Sequence, residues 1–145
     1  MGRTESGHGY LPLEVAVITA LLAGPDPVLA ELRRQFGAST AGQREWTGVG
    51  FFLDIETPPD LSPVPLNKNL HLADVGADLE GVKHGVGFVL HVRDGLLDYL
   101  EGFTYDEPWP ERAGAYSVAY IREGKLSPGR SEIGPLEPKA ASEPK

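Results

Sequence analysis

The 145 residues have the length of one domain, and a chain of this size can bury a core large enough to fold without a metal or a disulfide. The absence of cysteine excludes a disulfide framework, a cysteine-based zinc site and a cysteine nucleophile, and it fits a cytoplasmic location. The formal net charge of −8, from 21 acidic and 13 basic residues, disfavours nucleic acids and anionic membranes as partners and favours a basic protein.

Two helices are expected at the N-terminal end of the chain. Pro12 suits the first turn of a helix, and residues 13–23 are apolar almost all round, which indicates a largely buried helix. A strand is the alternative there, because the run contains several β-branched residues. Asp26 before a proline is typical of a second helix start, and Gly37 is a typical stop. The spacing places three side chains on the buried face of this second helix: Leu29, Leu32 and Phe36.

After the second helix the apolar residues alternate with polar ones, which indicates strands. The proline-rich residues 57–66 are expected to form a loop. Five strands are predicted, over residues 45–55, Leu70–Leu79, Val86–Arg93, Leu96–Thr104 and residues 115–122. Helices followed by strands predict an α+β fold, with two N-terminal helices on one face of a mainly antiparallel sheet of about five strands. We expect one domain over residues 11–126, after a flexible N-terminus of residues 1–10 and before a disordered or loosely draped tail of residues 127–145.

The Asp94-Gly95 pair between two alternating runs predicts a hairpin with a type I′ turn. A two-residue turn sets a register in which His91 lies opposite Asp98 and Phe88 lies opposite Glu101. The predicted core face of this hairpin carries Val86, Phe88, Leu90, Val92, Leu97, Tyr99 and Phe103.

The pair of His91 and Asp98 is the first candidate for chemistry. A carboxylate beside an imidazole orients it as a general base, and Ser117 or Thr104 would have to supply the nucleophile. The alternative is a cross-strand ion pair on a half-exposed face of the sheet.

Glu101 is the second candidate, because the predicted register places it on the apolar face beside Phe88 and Phe103. A buried carboxylate must find partners or take up a proton, and such groups concentrate at functional sites. The alternative is that Glu101 lies near the rim of the sheet and reaches water.

Acidic and aromatic residues alternate over residues 98–109, and this stretch is the candidate partner-binding surface. Its central residues are Tyr105, Asp106, Glu107 and Trp109. Aromatic rings supply contact area and carboxylates steer a basic partner toward the surface. The alternative is that the rings point into the core while the acids face water.

The sequence contains no recognised phosphate-binding, dinucleotide-binding or metal-binding motif, so neither a cofactor nor a metal is expected. His71 and His84 do not have the spacing of metal ligands, and the glycines near residues 48–50 and 81–87 indicate turns and close backbone contacts.

Two segments, residues 87–95 (GFVLHVRDG) and residues 100–110 (LEGFTYDEPWP), resemble stretches of a family of small uncharacterised bacterial proteins. The resemblance brings no catalytic residues. Small acidic bacterial domains of this style include toxin-neutralising immunity proteins, so we expect a protein-binding domain of this type. The alternatives are a small hydrolase that uses His91 with Asp98 or Glu101, and a small-molecule-binding domain whose pocket lies between the sheet and the helices.

Overall fold

The computed structural model describes residues 8–111, 114–122 and 125–127. Helices α1 (Pro12–Leu21) and α2 (Pro27–Ala38) precede strands β1 (Thr40–Trp46), β2 (Gly50–Glu56), β3 (Leu70–Leu79), β4 (Val86–Arg93), β5 (Leu96–Thr104), β6 (Tyr116–Arg122) and β7 (Lys125–Ser127). All neighbouring strands pair antiparallel in the order β1-β2-β5-β4-β3-β6-β7. The predicted α+β fold is confirmed, with six strands of at least seven residues and a seventh of three in place of about five.

Both predicted N-terminal helices are present, so residues 13–23 begin as a helix and the strand alternative is wrong. Helix α1 buries Val17, Ile18 and Leu21 against the sheet. Asp26 caps α2, because its Oδ1 accepts a hydrogen bond of 2.9 Å from the backbone N–H of Val28.

The buried face of α2 agrees with the prediction in its first two turns and departs from it near the end. Leu29 and Leu32 are buried, whereas Phe36 is only partly buried. Gly37 is not the stop, because α2 continues to Ala38. Ser39 is its C-cap residue, and the Ser39 hydroxyl donates to the Phe36 carbonyl at 2.7 Å.

The single strand predicted over residues 45–55 is wrong. The chain reverses direction at Gly48, whose φ of +92° suits glycine, and the Thr47 N–H closes the turn on the Gly50 carbonyl at 2.9 Å. Val49 is consequently 50% exposed instead of facing the core. The alternation predicted the core face only beyond the turn, where Phe51, Leu53 and Ile55 are buried.

The helices cover one face of the sheet, and the core lies between them and that face. The opposite face, which we call the open face, is not covered by any described helix. At its centre the open face carries Phe52, Val89, His91, Tyr99, Glu101 and Phe103, all partly exposed.

The hairpin of β4 and β5 forms as predicted, but its register changes after the first two pairs. Asp94 and Gly95 have φ values of 54° and 79°, as a type I′ turn requires. A bulge then leaves Asp98 without a cross-strand position, because Val92 pairs with Leu97 and His91 pairs with Tyr99. The predicted pairing of His91 with Asp98 is therefore wrong.

The same bulge exchanges the two faces of β5 beyond Asp98. Glu101 pairs with Val89 and lies on the open face, not beside Phe88 on the core face. Tyr99 and Phe103 also lie on the open face, while Leu100 and Thr104 take the core positions. A one-residue insertion has this effect because successive side chains of a strand point to opposite faces.

Tyr10 belongs to the core, although the sequence analysis assigned it to a flexible N-terminus. Its side chain is 2% exposed, and its hydroxyl lies 2.7 Å from the hydroxyl oxygen of Ser39. Burial raises the pKa of the Tyr10 hydroxyl. The rest of the predicted flexible N-terminus, residues 1–7, and residues 128–145 of the predicted tail lie outside the described residues.

Among the helices of the described part of the chain, none combines the length and the apolar character that a membrane crossing requires.

Candidate functional site

A cavity of about 330 Å³ lies beside the N-terminal turn of α1. Its walls come from α1, from the ends of β1, β2, β3 and β6, and from the segment that connects β5 to β6. Aromatic and aliphatic side chains make up most of the lining, and three carboxylates complete it. The principal lining residues are Leu13, Glu14, Trp46, Phe51, Trp109 and Tyr116, with Glu80 and Glu111 at the surface.

Three aromatic rings hold one another in place along one side of the cavity. The centroid of Phe51 lies 5.4 Å from that of Trp46 and 5.3 Å from that of Trp109, and the latter pair meets edge to face at 81°. Gly102 makes room for the Phe51 ring, since a Cβ at Gly102 would lie 2.4 Å from it. The backbone N–H of Trp109 donates to the carbonyl of Gly48 at 2.8 Å, which ties this wall to the β1–β2 turn. The aromatic wall is therefore pre-formed.

Glu14 contributes a buried charge to the lining, and Arg44 neutralises it. The Arg44 guanidinium donates from Nε to Oε2 and from Nη2 to Oε1, both at 2.7 Å, and Nη2 also donates to the Gly9 carbonyl. The second role of Glu14 is to accept the Leu11 backbone N–H at 2.8 Å, which satisfies a donor at the start of α1. This pair connects α1 to β1 beside the cavity.

Glu80 and Glu111 are the other two carboxylates of the cavity, and both are exposed. Glu80 accepts the backbone N–H of Ala115 at 3.0 Å, so its side chain is held against the chain at Gly114. Within the described part of the chain, neither carboxylate forms a salt bridge. Glu14, by contrast, has its salt bridge with Arg44.

A second cluster of polar side chains lies on the open face and includes two of the predicted catalytic candidates. His91 Nε2 lies 3.4 Å from Glu101 Oε1, and His91 Nδ1 lies 2.9 Å from Nδ1 of His71 on the neighbouring strand. The Tyr99 ring stacks on His91 at 4.1 Å and 16°. When neutral His91 donates from Nε2 to Glu101, its Nδ1 accepts a hydrogen bond from His71 Nδ1–H, so the three side chains form a continuous hydrogen-bonded row.

The remaining catalytic candidates do not join this row. Asp98 accepts instead from Arg93 Nε at 3.3 Å. Ser117 of β6 pairs with Asp78, which lies seven residues along β3 from His71, a distance of about 23 Å at roughly 3.3 Å per residue. Thr104 faces the core. Neither hydroxyl is therefore within reach of the His91 imidazole.

The four predicted partner-binding residues have different environments. Tyr105 is 46% exposed and Asp106 is exposed beside it, whereas Trp109 packs against Phe88 and Phe51 and lines the cavity. The Glu107 carboxylate accepts the backbone N–H groups of the Lys83–His84 turn at 2.9 and 2.8 Å. Those hydrogen bonds, the one from Lys83 first, lower the pKa of Glu107.

Among the residues that the structure describes, no group of three or more histidine, aspartate or glutamate side chains is arranged to hold a metal ion.

Among the site residues predicted from the sequence, Trp109 is the one that lines the cavity. Glu14 gave a usable signal, because a lone acid within an apolar helix must find a partner when that helix is buried. Trp46 gave none, since it lies near the start of the strand predicted over residues 45–55, whereas the structure places it at the end of β1.

Comparisons with protein-family models, with curated proteins and with solved structures found no match for this chain. The resemblance of residues 87–110 to a bacterial family therefore stays a prediction.

Proposed function

We propose that this chain is a small-molecule-binding domain whose ligand occupies the cavity between α1 and the sheet. The observation that carries the proposal is the set of four aromatic side chains, Trp46, Phe51, Trp109 and Tyr116, around one cavity of about 330 Å³. That volume lies within the range of roughly 300–1,000 Å³ typical of ligand sites, which are mostly apolar with a few placed polar groups.

The exposure of Trp46 supports this proposal. Its side chain is 54% exposed although its ring contacts the fully buried Phe51. A large ring in that position leaves apolar surface in water, and a ligand that covers it gains the hydrophobic free energy of that surface. The ring contacts within the wall also mean that binding would not have to order these side chains first.

A neutral fluorescent probe, N-phenyl-1-naphthylamine, tests the proposal. We expect saturable binding of one probe per chain, and we expect loss of binding when Leu13→Trp fills the cavity. The matched control is Leu66→Trp, which enlarges a partly buried leucine outside the cavity. Circular dichroism and urea unfolding establish that both variants fold. Equal binding by the two variants, or no saturable binding by the native chain, would contradict the proposal.

Binding of a basic protein is a second candidate function, supported by the exposure of Tyr105 and Asp106. Trp109 is not available as its anchor, because the ring packs within the domain. A partner captured by the native chain and released by Tyr105→Ala/Asp106→Asn would favour this function. The association rate should also fall with Asp106→Asn at low salt, since exposed charges act by steering. We also propose a cytoplasmic location, on the basis of the cysteine-free composition.

A further inference from the structure

We infer that the ligand of the α1 cavity is an organic cation with an apolar body, held by the faces of Trp46 and Trp109 and by the carboxylates of Glu80 and Glu111. This inference rests on the proposed function and adds the chemical class of the ligand.

The charge of the lining is the first argument. The cavity has three carboxylates and, among its described lining residues, no lysine, arginine or histidine. Arg44 neutralises Glu14 through two hydrogen bonds, whereas no salt bridge to Glu80 or Glu111 is present among the described residues. A concave, mostly apolar site lined by charges of one sign focuses the field and concentrates ions of the opposite sign. An anionic ligand would meet repulsion from both carboxylates.

The aromatic side chains are the second and independent argument. The face of an indole is electron-rich, and tryptophan attracts a cation more strongly than the other aromatic side chains do. Trp46 and Trp109 both line the cavity together with Tyr116 of β6, and the whole chain contains only two tryptophans. Aromatic rings combined with nearby carboxylates provide attraction for a cationic head and apolar surface for the rest of the molecule.

The Glu80 carboxylate is held in position by contacts with residues 114 and 115. Its Oε1 accepts from the Ala115 backbone at 3.0 Å, and the side chain packs at the glycine of position 114, where a Cβ would lie 2.5 Å from Oε1. Glutamine at position 80 keeps a carbonyl oxygen for the Ala115 N–H and removes only the charge.

The test compares two probes of the same shape, phenyltrimethylammonium and the neutral tert-butylbenzene, in which a carbon replaces the charged nitrogen. Both tryptophans line the cavity, so intrinsic fluorescence reports on the site directly. We expect the cation to bind at least about 10-fold more tightly, which corresponds to about 1.4 kcal/mol. In Glu80→Gln/Glu111→Gln this ratio should fall several-fold, with the affinity for tert-butylbenzene unchanged.

The control is Glu31→Gln/Asp60→Asn, which removes the same net charge from exposed positions outside the cavity. It should preserve the ratio of the native chain, and urea unfolding establishes that both double variants fold. Equal binding of the two probes, or tighter binding of tert-butylbenzene, overturns the inference while leaving the proposed function in place. A ratio that both double variants change equally overturns the role of Glu80 and Glu111. Failure of both probes to bind contradicts the proposed function itself.

Discussion

Replacing Arg44 by methionine should destabilise the fold strongly, because it leaves the carboxylate of Glu14 in the core without its cationic partner. The Glu14 side chain is 3% exposed and that of Arg44 is 21% exposed. Arg44→Met removes both charge-assisted hydrogen bonds to Glu14 and the one to the Gly9 carbonyl. Of the hydrogen bonds to Glu14 within the described residues, the one from the Leu11 backbone N–H then remains.

Removal of one partner of a buried ion pair costs about 3–5 kcal/mol. Arg44 is partly exposed, so water can enter the space that it leaves, and we expect the lower end, about 3 kcal/mol. For a domain of this size that loss lowers the Tm by roughly 6–12 °C. Adding Glu14→Gln to Arg44→Met should recover about 1–2 kcal/mol, because a neutral amide costs less to bury than an unpaired carboxylate.

Urea unfolding followed by tryptophan fluorescence measures these free energies, and the two single variants with the double variant form a complete cycle. Arg34→Met is the matched control, because the Arg34 and Glu31 side chains of its ion pair are 70% and 52% exposed. That variant should lose less than about 1 kcal/mol of unfolding free energy. If Arg44→Met lost as little stability as the control, or if adding Glu14→Gln to Arg44→Met destabilised the chain further, the buried ion pair would not stabilise the fold.

Three further changes test the core, the cavity wall and the loop before Trp109. Leu32→Ala should lower the free energy of unfolding by about 2–5 kcal/mol in urea, since Leu32 is fully buried, and a loss below about 0.5 kcal/mol would contradict its core position. Gly102→Ala should cost about 1–3 kcal/mol because its Cβ would overlap the buried Phe51 ring; an unchanged Tm would contradict that contact. The pKa of Glu107 is lowered from its ordinary value of 4.5, so ionised Glu107 stabilises the fold at pH values above 4.5. This contribution disappears as the pH falls through the lower pKa that Glu107 has in the folded state. Between about pH 6 and about pH 3 the urea midpoint of the native chain should therefore fall more than that of Glu107→Gln. Equal falls would contradict the lowered pKa of Glu107.

The features predicted well from the sequence depend on contacts between residues close along the chain. The Asp94-Gly95 turn requires positive φ at both positions, and the structure has them there. Asp26 caps the helix that follows it through a hydrogen bond to a residue two positions away. Strands β3, β4 and β5 have the predicted bounds because their alternation is long and bounded by turn residues.

The features predicted wrongly depend on how one strand meets another. The bulge at Asp98 moves Glu101 to the open face and separates His91 from Asp98, and nothing in the local sequence marks it. The alternating pattern continues through Gly48 and predicts one strand there, whereas the structure has a turn with β1 before it and β2 after it. In both cases the register is the one that buries the most apolar surface across the whole sheet. That buried area depends on strands outside any single hairpin.

The class of fold, the two helices, most strands and the buried face of β4 follow from periodicity, capping and turn chemistry within a few residues, and the sequence therefore predicts them. The candidate site depends on the tertiary structure. The cavity brings Glu14 from the first helix together with Trp46 from β1, Trp109 from a loop and Tyr116 from β6. Residues so far apart along the chain become neighbours only when α1 has packed on the sheet, since the walls of the cavity belong to different elements.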